Sequence, residues 1–354
     1  MRDRPPRPQA EGRPRSSAGR PPWSLVGWLA LCGALMLGAP PPPEPPMVTE
    51  EEAAVMQRTT ELVVRDTKQW QREHGDRVLP WSEASGHLAI VIDDVGRELH
   101  LFEQLLALRF PLTFSVLPGS IYASGVQLRL RGDRRRPREI MLHLPMEPLD
   151  PTQMHQGDEA REVFLLRTDD PVTLRAKVED ALAAVPAAAG VNNHMGSALT
   201  PDAAAMGEVM AVLHDRTLFF VDSRTIAATE AEAVARAHGV PTSSRDVFLD
   251  HDPSAAAIEA ALDEAARRSR EAPVIAIAHP SAEVVEVLTR RLPELHAEGV
   301  SVYPVSRLLT ARSALVGGTD RASQSEEFEG MNPNDPAPGR PKGESAFSPP
   351  LGPS

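Results

Sequence analysis

The chain has 354 residues and a formal net charge of −12, so it lacks the basic footprint that nucleic-acid binding requires. Its single cysteine, Cys32, excludes an intramolecular disulfide, and the fold must be held by its core. The 35 prolines crowd the two ends, which predicts an ordered middle between irregular flanks.

Residues 1–22 are basic (Arg2, Arg4, Arg7, Arg13, Arg15, Arg20), and an uncharged apolar run, 23–39, follows. That run has the length of a short transmembrane segment or a long signal-peptide core. Arginines before it and Glu44, Glu50, Glu51 and Glu52 after it orient the N-terminus toward the cytoplasm. Ala39 precedes Pro40, a poor cleavage site, which favours an uncleaved anchor. The expectation is a bacterial cell-envelope protein, inner-membrane anchored or exported, with its folded part on the periplasmic side. Prolines from 40 to 46 predict a stiff spacer. The charged residues 48–74 predict a helix with a weak apolar stripe (Val55, Leu62, Val63), as a stalk or a packing helix, and complete the segment 40–85. Residues 313–354 are rich in Gly, Pro, Ser and Glu and predict a disordered tail.

Between these flanks, residues 86–312 alternate strand-like and helical patterns. The apolar runs are 88–92, 112–117, 139–144, 189–192, 217–221, 274–278 and 300–304. They are short and continuously apolar, as parallel strands buried on both faces require. Pro201–Asp215 and Pro253–Arg270 are the clearest helices, with Thr200 and Asp252 as caps and proline at the first helical position. The alternation implies right-handed crossovers in a doubly wound sheet or a barrel.

The unusual polar residues fall at strand ends. The first strand runs into Asp93-Asp94, the third into His143 with Glu147 beyond it, and the fourth into Asn192-Asn193-His194. The fifth ends at Asp222 and the sixth at His279. Sites in parallel α/β folds lie at the carboxyl ends of strands, so these residues are expected on one rim. Two adjacent carboxylates after an apolar strand repel each other and resist desolvation, and a bound cation relieves both. Imidazoles with a carboxylate suit a divalent ion such as Zn²⁺. Such an ion acidifies a water, a second carboxylate takes the proton, and a histidine protonates the leaving group. Asp222 is a candidate for this chemistry, with a capping role as the alternative. His251 is a weaker metal candidate in a capping context. Arg134–Arg138 reads as a solvated basic loop. Neither a phosphate-binding glycine loop nor a nucleophile elbow is present.

Five segments together resemble the divergent polysaccharide deacetylase family, which is distantly similar to NodB-type carbohydrate esterases. They are Ile92-Asp93-Asp94-Val95-Gly96, Thr113-Phe114-Ser115-Val116-Leu117-Pro118, His143-Leu144-Pro145-Met146-Glu147-Pro148, Gly190-Val191-Asn192-Asn193-His194-Met195-Gly196-Ser197 and Phe220-Val221-Asp222-Ser223-Arg224-Thr225. The resemblance covers about residues 86–311 and implies a distorted (β/α) barrel of about seven parallel strands. It implies Asp93 as base, Asp94 and His143 as ligands of a divalent metal ion, and His279, after Ile275-Ala276-Ile277-Ala278, as acid. The family's second histidine position holds Glu147 here, so His194 is the candidate third ligand.

Two functions compete. One is a metal-dependent hydrolase acting on an N-acetyl or ester group of an envelope carbohydrate. The other is a non-catalytic envelope protein that uses the same barrel to bind a glycan or a protein partner. All four tryptophans precede the domain, which leaves only Phe and Tyr to face a sugar.

Overall fold

The computed structural model describes residues 49–133, 135, 138–155 and 162–314. The chain divides into two units, Met1–Arg65 and Asp66–Ser354. Of the first, the described part is the start of helix α1 (Glu50–His74). Thr49 and Glu52 cap it reciprocally: the Glu52 N–H donates to Thr49 Oγ1 (3.2 Å) and the Thr49 N–H to Glu52 Oε2 (2.9 Å). Val55, Met56, Leu62 and Val63 on it are exposed. Among the described residues no helix is long and apolar enough to cross a membrane. The run 23–39, the proline-rich spacer to residue 48 and the tail beyond 314 lie outside the described residues.

The second unit runs β1 (Gly86–Val95), α2 (His100–Ala107), β2 (Thr113–Val116), α3 (Ala123–Arg131), β3 (Ile140–Met146), a 3₁₀ turn (Pro151–His155), α4 (Pro171–Ala184), β4 (Gly190–Met195) and α5 (Ala203–Asp215). It continues β5 (Phe219–Asp222), α6 (Ala231–Ala237), β6 (Thr242–Ser244), β7 (Val247–Phe248), α7 (Ala255–Ser269), β8 (Val274–Ala278), α8 (Ala282–Ala297) and β9 (Val300–Val302), with a last helix over 305–314. The sheet order is β6-β5-β4-β3-β2-β1-β8-β7, and all pairs are parallel.

The two edges of that order are successive pieces of one extended segment. β6 pairs with β5, the Arg245 N–H donates to the Asp222 carbonyl, the Asp246 N–H donates to the Ile275 carbonyl, and β7 pairs with β8. The segment 242–249 therefore closes the sheet into the expected parallel barrel. This closing strand has no counterpart among the apolar runs, because Thr242-Ser243-Ser244-Arg245-Asp246 is polar. The expected last strand instead pairs only with the foot of β1, Gly86 opposite Val300 and Leu88 opposite Val302.

Strand alternation sorts the core into two clusters. Leu88, Ile90 and Ile92 of β1, with Val191, Phe220 and Ala276, pack outward against the helices. Ala89 and Val91, with Met141, Val221, Ile275 and Ile277, fill the barrel. Gly190 is needed in this interior: a Cβ there would sit 2.2 Å from the Phe219 ring, which takes the space instead. Trp81 closes the foot of the barrel, its ring 3.9 Å from that of His87 and 4.9 Å from that of Tyr303. The folded domain thus begins before the expected boundary at residue 86.

Two further expectations are corrected. The helices begin at Ala203 and Ala255, not at Pro201 and Pro253, because Asp202 and Ser254 accept the first N–H groups. Arg138, in the loop read as solvated, is buried. It grips Asp76 with two nitrogens (2.7 and 2.9 Å) and donates to Asp133 Oδ2 (3.0 Å) and the Phe110 carbonyl (3.0 Å). Arg138→Ala strips a buried counter-charge from Asp76, and urea unfolding is expected to register a loss of about 3–5 kcal/mol.

Candidate metal centre

The phase that points Ala89, Val91, Met141, Val221, Ile275 and Ile277 into the barrel continues upward into polar residues. Asp93, Ser115, His143, Asn192, Ser223 and His279 occupy the inward positions at the carboxyl ends of β1, β2, β3, β4, β5 and β8. Asp94 is out of phase and reaches the same place by a distortion. The β1–β2 register shifts between Ile92 and Val95, and Asp94 has φ = +54°. This bulge in left-handed geometry turns two consecutive carboxylates toward one centre, a local strain of the kind found at functional sites. Gly96, at φ = +112°, completes the turn; a Cβ on it would meet Ser120 Oγ at 2.2 Å.

Asp94 Oδ1 lies 3.2 Å from His143 Nε2 and 3.0 Å from His194 Nδ1, and the two ring nitrogens are 3.2 Å apart. All three ligand atoms fall within 4.8 Å of one another. Asp94 Oδ1 is buried and has no hydrogen-bond partner. Three lone-pair atoms facing one another with an unsatisfied carboxylate oxygen among them is an arrangement that a divalent cation satisfies. Burial pushes Asp94 up, but the two imidazoles outweigh it and hold the carboxyl well below the usual range. Burial opposes charge on His143 as well, and the Asp93 and Asp94 carboxylates overcome it and raise its pKa. Without an ion, a proton answers the negative charge here; with one, the ion replaces it.

Around the triad stands a set of holding groups. The far oxygen of Asp94 accepts from Arg97 Nη1 (2.7 Å), and Arg97 Nη2 donates to Glu162 Oε1 (2.6 Å). Glu162 Oε2 is 3.7 Å from His194 Nε2. Asp93 Oδ2 lies 3.7 Å from His143 Nε2, while its Oδ1 accepts from Asn192 Nδ2 (2.8 Å). Burial raises the Asp93 pKa, against the pull of His143, His279 and Asn192. His279 meets Asp250 twice, at Nδ1 (3.2 Å) and through its backbone N–H (2.7 Å). Burial works against its charge, but Asp250, Asp93 and Asp94 prevail and raise its pKa to about 9.

The structure therefore brings Asp93, Asp94, His143, His194 and His279 to one rim. Asp222 is not among them, and a catalytic role for it is corrected. Phe220 and Asp222 face outward while Val221 and Ser223 face inward, so the phase of β5 turns this carboxylate away. Its oxygens accept from the Arg224 N–H (2.8 Å) and from Thr229 Oγ1 (2.8 Å), so it holds the turn after β5, and the next helix begins only at Ala231 with Glu230 before it, so it is not a helix cap either. Asp222→Ala is expected to cost about 1–3 kcal/mol in a thermal melt and to leave zinc affinity unchanged. Glu147 is likewise engaged elsewhere, accepting from the Arg167 N–H (2.6 Å). His251 stays outside the ligand cluster, 6.0 Å from the Phe248 ring. Sequence reading placed Asn192 on the rim without a role and missed Ser115, Arg97, Glu162 and Asp250 as parts of the site. Only Asn192 and Ser115 carried a signal, as polar residues in phase with an apolar strand interior.

These features define a parallel (β/α) barrel with an Asp–His–His cluster at its carboxyl-end rim. The family model described as divergent polysaccharide deacetylase matches residues 90–309, and the chain belongs to that family. It is 33% identical over 219 residues to an uncharacterized protein of Haemophilus influenzae, covering 60% of this chain and 75% of that one. It is 34% identical over 228 residues to the uncharacterized protein YibQ of Escherichia coli, covering 64% and 68%. The crystal structure of an uncharacterized protein from Agrobacterium tumefaciens shares the fold, with a TM-score of 0.57 at 24% identity over 66% of this chain and 93% of that one. The fold is thus the deacetylase-like barrel of that family.

Proposed function

We propose that the protein is a metal-dependent hydrolase that removes an N-acetyl or ester-linked acyl group from an envelope carbohydrate. The observation that carries this reading is the convergence of Asp94 Oδ1, His143 Nε2 and His194 Nδ1 within 4.8 Å, on the rim that also holds Asp93 and His279. Asp94, His143 and His194 would hold the ion, which we take to be Zn²⁺; when bound it supplies a polarised carbonyl and an acidified water. Asp93 is the base, since its raised pKa makes it a better proton acceptor than an ordinary surface carboxylate. His279 is the acid: Asp250 orients its ring and the surrounding carboxylates keep it protonated, ready to give a proton to the leaving amine or alkoxide. The apolar run 23–39 supports a membrane-anchored or exported placement with the barrel on the extracytoplasmic side.

Acetate release from N-acetylated and O-acetylated glycan oligomers, with the zinc-loaded full chain, tests this. Turnover that disappears in Asp93→Asn is expected. Zinc bound at the triad without release from either substrate class would replace hydrolysis with the non-catalytic binding reading.

A further inference from the structure

Asn192 is fully buried in the interior of β4, one layer above the apolar filling of the barrel. A side-chain amide there costs free energy unless every polar atom is paired. All its atoms are. Its Oδ1 accepts from Ser115 Oγ (2.5 Å) and faces His143 Nδ1 (2.9 Å). Its Nδ2 donates to Asp93 Oδ1 (2.8 Å) and Ser223 Oγ (3.1 Å).

The chemistry of these partners sets the polarity of the amide. An ionised carboxylate only accepts, so the atom facing Asp93 is the NH₂ group and the opposite atom is the carbonyl oxygen. A carbonyl oxygen only accepts, so His143 Nδ1 carries a proton. In the neutral ring that leaves the lone pair of His143 on Nε2, the atom 3.2 Å from Asp94 Oδ1 and 3.2 Å from His194 Nδ1. Both hydrogens and both lone pairs of the amide are used, so no spare partner remains to turn it round.

We infer that Asn192 is a positioning residue that locks His143 in the Nδ1–H tautomer, presenting Nε2 to the metal, while the same amide holds the base Asp93 in place. It joins a ligand to the base through one side chain. The inference rests on the metal-hydrolase reading for the purpose of the lock, although the tautomer belongs to the metal-free protein.

The test uses the full chain, free of metal and at a pH high enough to make His143 neutral, with ¹⁵N-labelled histidine. The His143 signals are identified by their loss in His143→Asn, and long-range ¹⁵N–¹H spectra report which ring nitrogen is protonated. Wild type is expected to show the Nδ1–H form; an Nε2–H form in wild type overturns the inference whatever the variants do. Asn192→Ala is expected to populate the Nε2–H form and to weaken zinc binding about 10- to 100-fold. Asn192→Asp keeps the acceptor for His143 but sets a second carboxyl group against Asp93. It is expected to retain the tautomer and bind zinc at least as tightly as wild type, while acetate release falls. Folded Asn192→Ala that keeps both the wild-type tautomer and wild-type zinc affinity overturns the inference. Failure of wild type to bind zinc sinks the metal-hydrolase reading and the purpose assigned to the lock, and the spectra still decide the tautomer.

Discussion

Asp94→Asn is expected to lower the zinc affinity of the full chain by at least about 100-fold, given that losing even an outer partner of a metal ligand costs about 10- to 100-fold. Asparagine is the informative replacement. Asp94 sits at φ = +54°, where alanine is strained and asparagine is tolerated, so a fall in affinity is not confused with a fall in stability. The affinity is read by competition with a chelator. Thermal melts give a second measure: zinc at about 1,000 times its dissociation constant stabilises a folded protein by about 4 kcal/mol. That increment is expected in wild type and, at the same zinc concentration, is expected to shrink to about 1.4 kcal/mol or less in Asp94→Asn. Equal zinc binding by the two proteins would show that the cluster does not hold the ion.

Asp93→Asn is expected to cut turnover by roughly 10²- to 10⁴-fold and to leave zinc binding within reach of wild type, separating the base from the ligand beside it. The pH profile carries the same division of labour. His279 acts as an acid only while protonated, so turnover is expected to fall as pH rises toward about 9. A cation beside Asp94 offsets part of the negative charge that raises the His279 pKa, which moves that limb to 9 or below. The acid limb follows Asp93, whose raised pKa means that turnover is lost as pH falls through it. His279 also leaves a mark on stability. Its folded pKa, about 9, exceeds the ordinary 6.5. Its contribution is therefore complete below about 6.5 and lost as pH rises through about 9. In the metal-free protein His279→Gln is expected to abolish that slope, as followed by urea midpoints between pH 6 and 10. A profile with no alkaline limb in the wild type would remove His279 from the mechanism.

Strand phase explains which strand-end residues could be assigned in advance. His143 follows Met141, and His279 follows Ile277 and Ile275, by steps of two, so an inward face was legible from alternation alone. The same count, applied to Phe219, Val221 and Ser223, places Asp222 on the outside. Its rejection was therefore already written in β5, whereas position at a strand end was the criterion that admitted it. Asp94 defeats the count in the opposite direction. Its carboxylate joins the site only because a bulge and a left-handed residue break the alternation, and nothing in a run of apolar residues announces a bulge.

Composition and periodicity were enough to establish buried parallel strands alternating with helices, a charged helix ahead of them, and acidic and imidazole groups gathered at strand ends. These are local properties: each depends on residues within a few positions of one another. What joins distant parts of the chain was settled only on folding. Closure of the barrel by a polar segment, the pairing of Asp250 with His279, the Arg97–Glu162 brace across the triad, and the Asn192 amide shared by His143 and Asp93 all bring together residues 22 to 99 positions apart. Such contacts are made by the register between strands and the path of loops, and no spacing along one segment encodes them.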